Sequence, residues 1–341
     1  MVCIAAFIIL AIIGIFVGII SIFKRDIGVA YWKVFKKAWG CVWKKVRLQK
    51  CETNFKDDVK NSLLKKVVLK KPNLVKPLSV VIEVVSVVIV GVVIWAVLTS
   101  IKSLLALWTL GTCNVSHPAS CALGSESCAI DEEDLNWFSE WGEIFTAMPD
   151  RFRSWDAKDY AIEPAIHLSD SDDKPYALDI VDPGCSACMQ SYKNQLNGDF
   201  IKNHNLMIMI YPIELDDGSY KFANSGIIAR YIHAANLKST QYGIKILDRI
   251  FTERSESGVI YQNIFNNELS SDEAERLLQA WLAEFGASTE DIAGLSELAH
   301  SDQVTALMQQ IKTMVTDTVR AKGIPTLIYD GRKHLGLFKN N

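Results

Sequence analysis

The stretch Tyr176-Ala-Leu-Asp-Ile-Val-Asp-Pro-Gly-Cys185-Ser-Ala-Cys188-Met-Gln-Ser-Tyr-Lys-Asn-Gln-Leu196 decides the fold. An apolar strand ends in a Pro-Gly turn, and Cys185 stands where a helix would begin. A thiol at that position has its thiolate stabilised by free backbone N–H groups and by the helix dipole, which lowers its pKa. Cys188 falls one turn along the same face, within reach of Cys185 for a disulfide of ordinary geometry. The spacing suits a reversible redox pair, with Cys185 exposed and nucleophilic and Cys188 more buried and resolving the mixed disulfide. Half of a zinc knuckle or an inert bridge has the same CxxC spacing. The domain holds no second CxxC to complete a zinc site, and the strand–turn–CxxC–helix order favours the redox reading.

A second signal lies far downstream, in Lys322-Gly-Ile-Pro325-Thr-Leu-Ile-Tyr-Asp-Gly-Arg-Lys-His-Leu-Gly336. It predicts a β-hairpin turned at Asp330-Gly331 and preceded by Gly-Ile-Pro. With both segments in view, the chain resembles the thioredoxin superfamily. In that family a strand leads into CxxC, and a separate Ile-Pro-Thr segment before the terminal hairpin supplies a cis-proline against the active-site sulfurs. The resemblance implies a cis bond before Pro325 and leaves the backbone of Ile324 free to pair with an extended substrate segment. It also implies a buried acid six residues before the first cysteine, here Asp179, that assists proton transfer. The competing reading of Asp179 is an edge or turn carboxylate, but a charge inside Ala-Leu-Asp-Ile-Val is better explained by function.

Between a second central strand at about 206–213 and Gly323 lie roughly 100 residues of helical pattern, covering Asn224–Leu237, Gln241–Thr252, Asp272–Phe285, Thr289–Leu298 and Asp302–Ala321. A helical subdomain at about 222–322 is similar to the insertion of the DsbA-like branch, the extracytoplasmic disulfide oxidoreductases of bacteria and archaea. The resemblance covers about 160–338. Three features depart from it. The inner dipeptide Ser186-Ala187 is neither the histidine type of oxidases nor the Gly-Pro of reductases, which leaves the direction of electron flow open. Gly184 stands where an aromatic is common. The closing helix is missing after the hairpin or supplied by another segment, such as 135–148.

Outward from this domain, composition divides the chain. Its 341 residues are 49% hydrophobic and 22% charged, with a net charge of −3, which excludes a disordered chain and a cysteine-dense miniprotein. Residues 3–23 carry no charge and are long enough to cross a bilayer, with Lys24-Arg25 following directly and no cleavage site, so they read as an uncleaved anchor. A second span follows Lys76-Pro77 and holds one acid, Glu83, near its start. Residues 24–78 hold 16 Lys/Arg against 4 Asp/Glu, whereas 103–341 hold 19 against 34. By the positive-inside rule the loop is cytoplasmic and the acidic region lies outside. Within the loop, Trp32, Phe35, Trp39, Trp43 and Val46 recur at helical spacing with lysines opposite. That suits a helix lying in the headgroup layer on anionic lipid rather than on nucleic acid. The expected fold is therefore α/β, a thioredoxin-like domain with an inserted helical subdomain, preceded by two transmembrane helices. The divisions are 1–23, 24–78, 79–108, a Cys-rich linker and amphipathic helix at 109–154, and 155–341. In that helix Leu135, Phe138, Trp141 and Phe145 form the apolar face.

Cys41 and Cys51 fall in the basic loop and read as free thiols, and Cys3 lies at the first span. Cys113, Cys121 and Cys128 stand in the linker. They suit either a structural disulfide among themselves with one thiol left over, or a relay to Cys185 and Cys188; with His117 they also make up a Cys3His zinc set of unusual spacing. His167, His204, His233, His300 and His334 form no constellation, and no metal or cofactor is expected. The expected function is a membrane-anchored extracytoplasmic thiol–disulfide oxidoreductase. Its partners would be protein thiols and disulfides and a membrane or extracytoplasmic redox partner. The alternative is a membrane scaffold with an inert domain and a structural Cys185–Cys188 bridge.

Overall fold

The computed structural model describes residues 75–118, 127–130, 134–171, 173–238 and 240–339, together with Trp32, Phe35, Lys36, Trp39, Gly40, Trp43, Lys44 and Arg47. The chain divides into two units after Ile101.

In the first unit, helix α1 (Val75–Leu110) begins and continues into the second. From Pro77 to Leu110 its 34 residues have a mean hydropathy of 2.9 in their most apolar window, long and apolar enough to cross a membrane by length and composition. Val80, Val84, Val88, Val92 and Trp95 are all exposed, so this length is not buried as a soluble core helix would be. The expected first span at 3–23 lies outside the described residues, as do Cys3, Cys41, Cys51 and Cys121. In the basic loop Trp32, Phe35, Trp39 and Trp43 are helical. The rings of Trp32 and Phe35 stack at 5.4 Å and those of Trp39 and Trp43 at 6.3 Å, with all three tryptophans exposed.

The second unit opens with the end of α1. Lys102 is buried there and forms an ion pair with Glu140, which also accepts from Ser116 Oγ at 3.1 Å. After the short strand β1 (Cys128–Ala129) comes α2 (Trp137–Ala147), capped by the Asn136 side chain on the N–H groups of Phe138 and Ser139. The expected apolar face of α2 is corrected. Ile144 and Ala147 are buried, whereas Phe138 is 78% and Phe145 56% exposed. Ile144 packs with Ala106 of α1 and with Val115, and Leu135 of the expected face packs against them; burial follows α1, leaving Phe138 and Phe145 outside and Trp141 half-buried, stacked on Phe145 at 5.6 Å.

The main sheet is built from β2 (Ile166–His167), β3 (Tyr176–Val181), β4 (Asn205–Ile210), β6 (Thr326–Tyr329) and β7 (Arg332–Leu335), in the order β2-β4-β3-β6-β7. Strands β3 and β4 are parallel and read as near-continuous apolar runs because they are buried on both faces; β2, β6 and β7 run antiparallel to their neighbours. Helix α3 (Ser186–Asn197) is part of the crossover from β3 to β4. The hairpin turns where the sequence predicts, with Asp330 at φ 49° and Gly331 at φ 71°, the pair of positive angles that a two-residue turn demands. A central strand leading into the Cys185 helix, and a hairpin packed beside it, are what the resemblance implies; β2 adds an antiparallel edge strand.

Between β4 and the short strand β5 (Gly323–Ile324) lies the helical insertion: α4 (Ser225–Lys238), α5 (Thr240–Thr252), α6 (Tyr261–Asn267), α7 (Ser271–Glu284), α8 (Thr289–Ala299) and α9 (Asp302–Thr313). Five match the expected helices to within a residue or two at their starts. Ser270 with Glu273, and Ser288 with Asp291, form capping boxes that set two of those starts. Expected Asp302–Ala321 is shorter as an α-helix, because the backbone passes into a π-turn at Met314–Thr318. Helix α6 spans seven residues, too few to display a period, and was not expected. Ile228, Tyr231, Ile232 and Ala235 make α4 the buried centre of the insertion.

After the hairpin the chain continues without a helix over the described residues. Asn194 Nδ2 donates to the Phe338 carbonyl at 2.7 Å, and the Phe338 ring lies 4.6 Å from that of Phe200. Helix α2 is tied to the residue before β5 by an ion pair of Glu143 with Lys322 at 2.9 Å.

Candidate functional site

The turn after β3 is held by Asp182. Its carboxylate is buried and accepts from the backbone N–H groups of Gly184 and Ile213, each at 2.7 Å. That turn delivers Cys185 as the N-cap of α3, with φ −81° and ψ 121°, and its carbonyl receives the first helical bond from Met189 N–H at 3.1 Å. Two side chains of α6 clamp the same turn. Gln262 Nε2 donates to the carbonyls of Pro183 (2.8 Å) and Cys185 (3.0 Å), and Asn266 Nδ2 donates to that of Gly184 (2.8 Å). The departure at Gly184 also finds its reason. A Cβ there would lie 2.3 Å from Cβ of Phe222, so the aromatic that the sequence lacks before Cys185 is delivered in space from residue 222.

The peptide bond between Ile324 and Pro325 is cis, as the resemblance implies, and the Ile324 carbonyl oxygen lies 3.8 Å from Cys185 Sγ. A second cis bond precedes Pro164.

The disulfide differs from expectation. Cys185 is bonded to Cys128 of β1, with Cα atoms 6.3 Å apart, and Cys188 is a free, buried thiol. The structural Cys185–Cys188 bridge of the scaffold alternative is therefore absent from this structure. The expected exposure of Cys185 is corrected too: it is 0% exposed, because β1 lies across it. Cys113 is also disulfide-bonded. A bridge confined to the linker does not describe Cys128, and with Cys113 and Cys128 both in disulfides their sulfurs are not available as the thiolates that a Cys3His zinc set needs. Among the described residues no group of three or more His, Cys, Asp or Glu is placed to hold a metal ion.

Beneath the sulfurs, Asp179 sits in the middle of β3 between Ile208 of β4 and Leu327 of β6, fully buried; it is neither an edge nor a turn carboxylate. Burial pushes its carboxyl up to about 8, against a hydrogen bond from Gln195 Nε2 at 2.7 Å. Asp182 is pushed up to about 7, again by burial, with its two backbone donors opposing. Burial first, then the charge of Asp179, raises the Cys188 thiol well above its usual value, while the Asp182 N–H donates to its sulfur at 3.4 Å. Cys188 thus keeps its proton until a base takes it. Gln195 and Ser191 share one face of α3 with Cys188, a spacing of three, four and seven that the sequence displays; Gln262, Asn266 and Phe222 carry no such signal. Of the histidines, His233 is buried beside the Ile210 carbonyl, and burial lowers it to about 4.

No protein-family model matches this chain, and no curated protein does. Among solved structures it is similar to a thioredoxin-like oxidoreductase from Silicibacter pomeroyi DSS-3, at 15% identity and TM-score 0.38, covering 53% of this chain and 88% of that one. Wolbachia pipientis alpha-DsbA1 matches at 11% identity and TM-score 0.39, covering 52% and 86%. The catalytic domain of Proteus mirabilis ScsC matches at 10% identity and TM-score 0.37, covering 53% and 87%.

Proposed function

We propose that this chain is a membrane-anchored thiol–disulfide oxidoreductase working outside the cytoplasm, with Cys185 as the attacking and attacked sulfur. The observation that carries it is the juxtaposition of three elements at one point: a cysteine capping α3, a cis-proline whose preceding carbonyl lies 3.8 Å from that sulfur, and a free thiol one helical turn behind. Helix α3 stabilises the Cys185 thiolate. In the oxidised form a substrate thiolate attacks Cys185 of a Cys185–Cys188 bond and leaves a mixed disulfide at Cys185. In the reduced form Cys185 attacks a substrate disulfide and Cys188 releases the product. Asp179 takes and returns the Cys188 proton, and Ile324 with Pro325 pairs with the extended substrate. The partners are protein thiols and disulfides and a redox protein that recycles the pair.

The charge difference between loop 24–78 and the acidic second unit, and the apolar length of α1, support two spans with the domain outside. Disulfides at Cys113, Cys128 and Cys185 agree with an oxidising compartment. The exposed Trp32, Trp39 and Trp43 suit contact of the basic loop with anionic lipid.

A scaffold in which the Cys128–Cys185 bond is a permanent staple is favoured by the complete burial of Cys185. The reduction potential separates the readings. A catalytic pair lies above about −300 mV and a structural bridge below it. A potential below that value for every bond of Cys185 would leave the scaffold.

A further inference from the structure

Strand β1 supplies to the edge of β5 what a bound extended peptide would supply. Cys128 pairs with Ile324 and Ala129 with Gly323, antiparallel, and the Ile130 N–H donates to the Lys322 carbonyl at 3.2 Å. Lys221 Nζ reaches the Ala129 carbonyl at 3.0 Å, and the Ile130 side chain is buried in the main core. A Cβ on Gly323 would lie 3.0 Å from the Cys128 carbonyl oxygen, so the missing side chain is what lets the two backbones approach. Main-chain pairing of this kind holds a peptide without regard to most of its side chains, and the register sets one of them, here a cysteine, on the reactive sulfur. The thiol that would displace it, Cys188, is unbonded on the same face of α3.

We propose that Cys128 is a third redox residue, carried on a tethered strand that occupies the substrate position, and that its bond to Cys185 is an intramolecular mixed disulfide. The inference rests on the redox reading of Cys185 and Cys188. In the step, the Cys188 thiolate attacks Cys185 Sγ. The Cys185–Cys188 bond forms as the Cys128–Cys185 bond breaks, and the electron pair of the broken bond leaves on Cys128. The proton given up by Cys188 ends on Cys128. One disulfide and one thiol stand on each side, so the exchange needs no outside oxidant or reductant. It frees the edge of β5 for an incoming peptide in the register that β1 held. Conversely, the tethered strand is present at an effective concentration on the order of millimolar, which excludes weakly bound thiols until it is displaced.

The test uses the full chain in bilayers, equilibrated across a series of glutathione ratios, acid-quenched, alkylated and mapped by mass spectrometry of its peptides. Two forms are expected, one with Cys128–Cys185 bonded and Cys188 alkylated, the other with Cys185–Cys188 bonded and Cys128 alkylated. Gly323→Ala should move the population toward the second form. A blocked synthetic peptide Ser-Glu-Ser-Cys-Ala-Ile, copying 125–130, should form an adduct at Cys185 of the Cys128→Ala protein about tenfold faster or more than at wild type. If wild type shows only the first form at every ratio, the proposal is overturned without recourse to any variant. If the peptide reacts at Cys185 of both proteins at one rate, the tethered strand is overturned and the oxidoreductase reading stands. If neither protein exchanges with the peptide or with glutathione, both readings fall.

Discussion

Gln195 donates through Nε2 to one oxygen of Asp179 at 2.7 Å, and the other oxygen of that carboxyl is buried with no hydrogen-bond partner. An unpaired buried acceptor costs about 1–3 kcal/mol, and an ionised one more. Asp179 is therefore mostly protonated in the folded chain at neutral pH, and on the proposed reading it is the ionised minority, whose charge also helps to hold the Cys188 thiol up, that takes the Cys188 proton.

That environment predicts a pH slope. An Asp held at about 8 when folded, and near 3.9 when unfolded, binds a proton in the folded state across the interval between. Stability falls as pH rises through it, by up to about 1.4 kcal/mol per pH unit. Asp179→Asn should flatten that slope in thermal unfolding followed from pH 5 to 8, and should slow disulfide exchange at pH 7. An unchanged slope would place the Asp179 ionisation elsewhere.

Removing Cys188, the thiol proposed to resolve the mixed disulfide, tests the order of the sulfurs. With Cys128 also replaced by alanine, so that it does not occupy Cys185, Cys188→Ala should accumulate covalent partner adducts at Cys185, with release of the partner slowed about 100-fold or more, because an intramolecular thiol has been replaced by a bimolecular one. Non-reducing gels followed by peptide mapping read the outcome. Adducts that are absent, or that lie at another cysteine, would contradict the role given to Cys185.

Gly184 and Phe222 are a packing pair. Gly184→Ala puts a methyl 2.3 Å from Cβ of Phe222 and should cost about 1–3 kcal/mol in denaturant unfolding. The Gly184→Ala, Phe222→Ala double variant should lose less than the sum of the two single changes, a coupling that a double-mutant cycle measures. Additive losses would mean that the two sites do not meet.

Gln262 joins the helical insertion to the reactive turn. Gln262→Ala leaves the carbonyls of Pro183 and Cys185 without this donor and should destabilise the domain by about 1–3 kcal/mol. It should also change the alkylation rate of reduced Cys185, since the N-cap is no longer fixed. A stability loss with an unaltered alkylation rate would confine Gln262 to folding.

The elements whose information is local were legible in the residues alone. β3 and β4 announce themselves as apolar runs, the hairpin by Asp330-Gly331, and five helices of the insertion by their period and, for two of them, by a serine with an acid three residues on. The burial of Asp179 and the cis bond at Pro325 followed from the resemblance that those motifs carry. Local pattern misled at α2, where Phe138 and Phe145 share a stripe with Trp141. Which stripe is buried depends on the neighbour, here Ala106 and Val115, and a helix does not encode its neighbour.

Cysteine pairing lay furthest from reach. Spacing of three along α3 makes Cys188 the natural partner of Cys185, and nothing within 57 residues of sequence separation signals Cys128. The pairing is decided by β1 adding to β5, a contact between main chains to which side chains contribute through the room left at Gly323, the Lys221 ammonium and the buried Ile130. Sequence by itself determined that a strand delivers a cysteine to a helix N-terminus, because propensity and periodicity are properties of short segments; that a proline segment lies opposite it came from the resemblance. Only the tertiary structure decided which sulfur that cysteine holds, because a disulfide forms between residues that the fold brings within about 6 Å, however far apart they stand in the chain.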